Sequence, residues 1–396
     1  MSPVSRNRSL LAGILALAAA MGIGRFAYTP LLPAMLATGA LDTAQAGLLA
    51  SANYAGYLIG ALLVAVGVPA SAQRRILRLA AIAVVLTTGL MAVTSGLATW
   101  SVVRFLSGLA SAGVFVLASG LVLDDLRRQG RVSLSGWLYS GVGLGIASAG
   151  IVVGAAGGRW GWRGDWLVLA VLAAAALIPC WSWLPRTRPT FGRTDETGPL
   201  PHGGVPAATA LLYAAYFLEG LGYIVTGTFL VVIVERMPGL TGLGAGVWII
   251  VGLAVIPASA VWGALASSVG YARALTAAYL LQAVGIVLPV IGGTGAAVAS
   301  AVLFGGTFAG ITALTLTLAG RLAPHRSAGL IGMLTAVFGL GQVMGPVLAG
   351  IITVRTQSFV PALVAAAVCV FIGGVMMAGL QLLDPVRHGR EPRRER

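Results

Sequence analysis

"PRTRPTFGRTDETGPLPHGGVP" runs from Pro185 to Pro206. Its five prolines, four glycines and mixed charges interrupt a chain otherwise built of apolar runs. Proline removes a backbone donor and glycine weakens a helix, so this stretch cannot span a membrane. It reads as a flexible cytoplasmic linker over 185–206. On either side lie runs that meet the requirement of roughly 20 apolar residues for crossing about 30 Å of hydrocarbon. Six precede the linker, near 10–36, 44–68, 76–95, 100–123, 134–157 and 164–184. Six follow it, near 207–234, 244–267, 273–292, 295–320, 328–352 and 359–382. The chain divides into an N-terminal six-helix bundle (1–184), the linker, a C-terminal six-helix bundle (207–382) and a basic cytoplasmic tail (383–396).

Composition agrees with this division. Of 396 residues, 58% are hydrophobic and 9% charged, with a mean hydropathy of +0.94; a soluble domain carries about 25% charged residues. Such a chain is an integral membrane protein in contact with the lipid bilayer. Its 56 glycines suit membrane helices that approach through small residues. The alternating strands of about ten residues that build a membrane β-barrel are not present. The first run follows Arg6 and Arg8 and contains Ala18, Ala19 and Ala20, as a signal peptide does, but it continues to Leu36 and reads as a span. Cys180 and Cys369 lie far apart in apolar runs and form no metal or redox pair. No cofactor and no metal site is expected.

All 25 basic residues are arginine. With both termini in the cytoplasm, the cytoplasmic segments hold 19 of them. The outer loops hold four (Arg159, Arg163, Arg236 and Arg355), and Arg25 and Arg104 stay within spans. Arginine-rich short loops face the cytoplasm. The pattern predicts a multi-pass protein of a bacterial inner (plasma) membrane, and the net charge of +14 speaks to orientation rather than to nucleic acid.

The two halves look like copies. "MGIGRFAYTPL" in span one aligns with "EGLGYIVTGTF" in span seven, placing Gly22 and Gly24 on Gly220 and Gly222. "SGWLYSGVGLG" in span five aligns with "IGMLTAVFGLG" in span eleven, matching Gly136, Leu138, Gly143 and Gly145 to Gly332, Leu334, Gly339 and Gly341, and Gly154 to Gly350. Parallel six-helix repeats predict a transporter whose halves rock about a central site.

Twelve spans, the repeat and the central loop resemble the major facilitator superfamily over the whole chain. "GIGRFAYTPLLPAM", "SANYAGYLIGAL" and "YFLEGLGYIVTGTF" resemble its YbfB/YjiJ-type branch. The superfamily's loop signature after span two keeps Gly60 and Leu62 here but has no aspartate, with Arg74 and Arg75 supplying the charge. Its copy after span eight keeps Gly263, Leu265, Ala266, Gly270 and Arg273, with Ser267 in the aspartate's place. Arg104 with Gly108 is similar to the span-four motif that the superfamily links to proton coupling. "GQVMGPVLAG", 341–350, resembles the helix-bending motif of span five in exporters, but lies in span eleven.

An ionised side chain at a helix centre costs about 2.5–3.5 kcal/mol on insertion scales, and Arg25, Arg104 and Glu219 are the three that lie well inside spans. At 1.5 Å rise per residue, Arg25 falls about 3 Å to the outer side of the midplane and Glu219 about 2 Å to the inner side. The two either form a structural ion pair or serve one substrate. Tyr216, Glu219, Tyr223 and Thr226 share one helical stripe. Arg25 with Tyr28, and Asn53 with Tyr57 and Gln45, offer polar faces in spans one and two, joined by Tyr139 and Gln342. Aromatic faces with few polar groups suit an organic ligand.

The expected substrate-binding set is Arg25, Tyr28, Asn53, Tyr57, Tyr216, Tyr223 and Gln342, and the expected proton-coupling pair is Glu219 and Arg104. Plainer readings stand beside these: Arg104 snorkelling to the interface, interhelical hydrogen bonding by the tyrosines and Asn53, and packing by Gln342. Asp42, Asp165, Glu235 and Asp384 read as solvated span ends, and Pro30, Pro33, Pro257, Pro289 and Pro346 as helix bends.

Enzyme chemistry finds no footing. "GVGLG" at 141 and "GLGAG" at 242 lack a strand–helix context, and His202, His325 and His388 all fall outside the spans. The chain reads as a secondary active transporter working by alternating access, monomeric, moving a small organic solute with protons. Glu219 carries the proton and Arg25 an anionic group. The rival reading is an exporter of a cationic or neutral toxicant. A non-transporting sensor or scaffold is the reading from a different class.

Overall fold

A computed structural model describes residues 3–156, 159–184, 207–322 and 327–381. The linker 185–206, the tail 383–396, Arg326 and all three histidines lie outside the described residues. Among the described residues there is no strand, and 12 helices are long and apolar enough to cross a membrane.

Span one consists of Pro3–Leu17, a π-helical segment Ala18–Ile23 and Tyr28–Ala37. Spans two to six are Thr43–Gly67, Ala70–Val93, Leu97–Arg128, Ser135–Leu138 continuing as Ser140–Ala156, and Gly161–Ser182. Spans seven to twelve are Ala207–Glu235, Gly244–Val269, Tyr271–Val287, Gly293–Leu322, Ser327–Thr356 and Val360–Leu380. Several helices outrun their apolar cores. Span three starts at Ala70 rather than near residue 76, with Arg75 and Arg78 exposed along its first turns. Backbone hydrogen bonding does not require apolar side chains, and arginine is a good helix former.

The largest departure from a simple rod is in span one. Between Ile23 and Tyr28 the chain turns without regular helix, and the ladder shifts register: Gly24 N bonds Ala19 O at 2.8 Å and Phe26 N bonds Met21 O at 3.1 Å. Pro30 has no N–H for the Phe26 carbonyl, and its ring crowds that carbonyl. Phe26 O accepts from Thr29 N instead, at 3.3 Å.

The repeat is visible in the packing. A Cβ on Gly145 would come within 2.6 Å of Gly22 Cα, and one on Gly341 within 3.0 Å of the Gly220 carbonyl carbon. Thus span five crosses span one where span eleven crosses span seven, at the glycines that align in sequence. The fold is two six-helix pseudo-repeats.

The halves meet where span two packs on span eleven and span five on span eight. They also meet where Tyr28–Ala37 packs on span seven. There Thr29 Oγ1 donates to Gly227 O at 2.6 Å, and a Cβ on Gly47 would sit 2.2 Å from Pro346 O. These span-one and span-two contacts lie on the face opposite the one where the chain enters. The first segment, Pro3–Leu17, packs instead on spans four, five and six of its own half.

Three expectations about span ends need correction. Gln45 does not face a cavity: it completes a capping box, accepting from Asp42 N at 3.1 Å while Asp42 Oδ1 accepts from Gln45 N at 2.8 Å. Glu235 is partly buried and caps span eight, accepting from Gly242 N at 2.6 Å and Gly244 N at 2.8 Å. Asp165 is 4% exposed and its Oδ1 has no partner, so it is not a solvated end. The helix begins at Gly161 and carries Asp165 one turn inward.

Candidate functional site

The break in span one builds the centre of the molecule. Turning residues leave carbonyls that no downstream amide reaches, and in an apolar interior each must find a donor. Arg104 of span four supplies two: Nη1 donates to Gly24 O at 3.2 Å and Nη2 to Arg25 O at 3.1 Å. Ser107, one turn on, donates to Gly24 O at 2.9 Å. Arg104 is 1% exposed and its Cζ lies 4.9 Å from the Tyr28 ring centroid. The snorkelling alternative is therefore corrected: the side chain turns inward because the broken helix needs its fork of donors.

Span two braces this clasp. A Cβ on Gly108 would lie 1.9 Å from Asn53 O, and one on Gly56 1.9 Å from Phe105 O, so spans two and four touch backbone to backbone. Asn53 Nδ2 donates to Arg104 O at 2.9 Å, and Tyr28 Oη donates to Ala46 O at 3.1 Å. Three expected site residues, Tyr28, Asn53 and Arg104, thus meet around the backbone of residues 24–28.

Arg25 points the other way. It is 3% exposed, and its Cζ lies 4.2 Å from the Tyr57 ring centroid, 4.6 Å from Tyr54 and 5.4 Å from Phe26. Desolvated cation–π contacts contribute about 2 kcal/mol each, enough together to offset the cost of burying the charge. Nε and Nη2 are buried and make no hydrogen bond. Their N–H bonds run along one edge of the guanidinium, the edge that grips the two oxygens of a carboxylate.

Arg25 and Glu219 form no ion pair. Glu219, 1% exposed, belongs to a polar pocket of the second half. Gln282 of span nine lies beside its carboxyl, although Glu219 Oε2 and both amide atoms of Gln282 lack a hydrogen-bond partner. Tyr216 and Tyr279 are within electrostatic reach of Glu219. Tyr223 is within electrostatic reach of Arg25 and Glu219 alike, and Gln342 donates a hydrogen bond to its hydroxyl.

A column of rings lines the second half. Tyr216 stacks on Phe338 at 4.3 Å and 14°, Phe338 on Tyr223 at 5.5 Å and 9°, and Tyr223 on Phe308 at 5.8 Å and 17°. Phe308 continues to Phe304 at 5.4 Å and touches Phe26 of the first half at 6.1 Å. Tyr57, Phe115, Tyr139 and Phe338 are partly exposed and lie on the chain-entry side of their spans' centres. Phe115 joins Tyr57 to Tyr139 in one aromatic line.

Sequence reasoning missed Tyr54, Gln282 and the phenylalanines. Tyr54 and Tyr57 sit three apart, and Gln282 is a lone amide in an apolar run, so both carried a readable signal. Phe304, Phe308 and Phe338 look like any apolar residue until the fold aligns their planes. Among the described residues no group of three or more His, Cys, Asp or Glu side chains could hold a metal.

Comparison with known proteins fits this architecture. The chain is similar in structure to the nucleoside transporter NupG, with a TM-score of 0.69 at 15% identity, covering 97% of this chain and 100% of that one; a D323A mutant of NupG gives 0.70 at 16%, covering 95% and 98%. It is also similar to a bacterial homologue of the human lysosomal transporter Spinster in an inward-facing, unoccupied conformation, at 0.65 and 17% identity, covering 99% and 100%. A search of curated protein sequences finds no match. The family model described as "Uncharacterised MFS-type transporter YbfB" matches residues 17–378. The chain therefore belongs to the YbfB-type family of major facilitator transporters, a multi-pass membrane transporter and not an enzyme.

Proposed function

We propose that this transporter moves a small organic anion together with protons, by alternating access. The observation that carries the reading is the free Nε–Nη2 edge of Arg25, buried in an aromatic cage with no carboxylate among the described residues to meet it. A guanidinium cannot discharge itself. A buried one with an unfilled bidentate edge is matched to a carboxylate or phosphate on the substrate. Tyr57, Tyr216, Tyr223 and Gln342 line the anion's surroundings, while Tyr28, Asn53 and Arg104 hold the backbone that aims Arg25. Arg104 thus acts as a positioning residue rather than as a proton carrier.

Glu219 is the proton carrier in this reading. It is a buried acid beside Gln282, and Tyr223 is within electrostatic reach of both it and Arg25. An anion on Arg25 alters the field at Glu219 through the low-dielectric interior, which couples substrate to proton without direct competition for the guanidinium. Residues 1–184 and 207–382 rock as units about the site. Access in this conformation runs from the chain-entry face, where the partly exposed rings lie. The arginine distribution makes that face cytoplasmic in a bacterial inner membrane, and the protein acts as a monomer.

The test uses reconstituted protein. Glu219→Gln is expected to abolish accumulation driven by a pH gradient while sparing counterflow exchange of the same anion. Accumulation equal to wild type in that variant sinks the coupling role. Full transport by Arg25→Ala would instead favour export of a cationic solute, with Glu219 Oε2 as its free acceptor.

A further inference from the structure

We infer that an anionic phospholipid docks in a groove between spans three and six, its phosphate on Arg74 and Arg78 and an acyl chain along the apolar floor beyond them. The groove encloses about 440 Å³ and is lined by Ile82, Val85 and Leu86 of span three and Ala174, Leu177 and Ile178 of span six. That volume falls within the roughly 300–1,000 Å³ common to small-molecule sites. Alanines on both walls, Ala81 and Ala174, leave the space. Towards the chain-entry face the groove meets a hollow lined by Arg74, Arg78, Leu121 and Cys180, and Ala81 and Trp181 belong to both. Neither arginine belongs to the site around Arg25, so the inference is independent of the anion reading above.

On span three the lining residues fall at 74, 78, 81, 82, 85 and 86, one helical stripe that is basic in its first turns and apolar beyond. Arg74 and Arg78 are four apart, where like charges repel; a phosphate between them relieves the repulsion and matches the guanidinium donors. Arg74 Nη2 donates to Trp181 O at 3.2 Å, which pins it at the mouth, beside the end of span six. Arg78 is exposed and forms no ion pair among the described residues. Trp181, 38% exposed, stands at the same level, and indoles collect at head-group depth. From Arg78 to Leu86 the stripe descends about 12 Å, most of the about 15 Å of hydrocarbon in one leaflet. An unfilled hollow forfeits dispersion contacts, and the medium against this face is lipid, so an acyl chain fills it. Free phosphate would leave the apolar floor bare, and a zwitterionic lipid sets its own cation against the arginines.

Native mass spectrometry of the full-length protein in detergent, offered equal amounts of dioleoylphosphatidylglycerol and dioleoylphosphatidylcholine, tests this by the lipid retained. These two lipids share their chains and differ in head-group charge. The wild-type protein is expected to prefer phosphatidylglycerol by about 10- to 30-fold, the range that two arginines near the membrane surface supply. Arg78→Gln is expected to cut that preference by about fivefold. Ala174→Trp, which fills the groove and leaves both charges in place, is expected to lose the tightly held lipid. Equal retention of the two lipids by the wild-type protein overturns the inference. Full wild-type preference in either variant also overturns it, because the anionic lipid then sits elsewhere. Inorganic phosphate bound in an Arg78-dependent way, with no lipid retained, overturns the membrane source. The two substitutions act on separate walls and the wild-type ratio needs neither, so a variant that fails to fold does not shield the inference.

Discussion

Spans one and seven hold equivalent places in the two repeats and carry the same Gly-x-Gly pair, yet they differ in backbone and in charge. Span one breaks between Ile23 and Tyr28 and holds an arginine at the break; span seven runs unbroken from Ala207 to Glu235 and holds a glutamate on a regular turn. Pro30 and Pro33 lie in the first and no proline lies in the second. The broken helix exposes carbonyls that recruit Arg104, and it carries a charge that cannot be removed. The continuous helix has satisfied its own backbone and carries a charge that a proton can cancel. In the proposed mechanism one copy of the repeat supplies a fixed anchor and the other a switchable group, a division that a strictly symmetric pair could not provide.

The most direct way to break this comparison is to remove the anchor. Arg25→Met is expected to weaken anion binding about 100- to 1000-fold, since two charge-assisted hydrogen bonds are lost; calorimetry reads the change, and a loss under tenfold would mean that the anchor lies elsewhere. Arg104→Met attacks the support instead. It leaves the Arg25 carbonyl without its donor, at a cost of about 1–3 kcal/mol, and lets the cage shift. A lower midpoint of thermal unfolding and roughly tenfold weaker anion binding are expected together. An unfolding loss alone would reduce Arg104 to a purely structural role.

The paired glycines sharpen the contrast at smaller magnitude. An added Cβ meets Gly145 Cα at 2.3 Å from Gly22 and Phe338 O at 2.3 Å from Gly220, so both alanine substitutions overpack by about 1–3 kcal/mol. Gly22→Ala is expected to reduce anion affinity, because its strain passes into the break. Gly220→Ala is expected to disturb pH-driven uptake more than affinity, because its strain falls beside Glu219. Equal effects on both readouts would contradict the division of labour. The smallest expected effect is that of Tyr54→Phe, which keeps the ring against Arg25 and should alter affinity by less than about twofold.

Much of this was legible in the residues themselves. Arg25, Glu219 and Arg104 stood out because charges in apolar runs are costly and so mark special positions. Of the aligned glycines, Gly22 with Gly145 and Gly220 with Gly341 are backbone crossing points, because only glycine permits backbones to come so close. The relation between the charges was not legible. Helical rise alone set Arg25 and Glu219 a few ångströms apart in depth, but it said nothing about which way each side chain turned, and span one is not a continuous helix. Arg104 sits about two turns into its helix, which begins at Leu97, where a long side chain has the choice of interface or interior. The orphaned carbonyls of Gly24 and Arg25 decided that choice, and no one-dimensional pattern announces an orphaned carbonyl.

The sequence by itself determined the twelve crossings and the halving of the chain, because the hydrophobic effect and the length of a membrane helix act on composition and run length alone. It also determined that three charges would need special homes. Only the tertiary structure decided what those homes are: rings of two spans around Arg25, broken-helix carbonyls beneath Arg104, an amide of span nine beside Glu219, and phenylalanines of spans ten and eleven drawn into one column. Those partners lie tens to hundreds of residues away, and their match depends on ring planes and donor directions that exist only after packing.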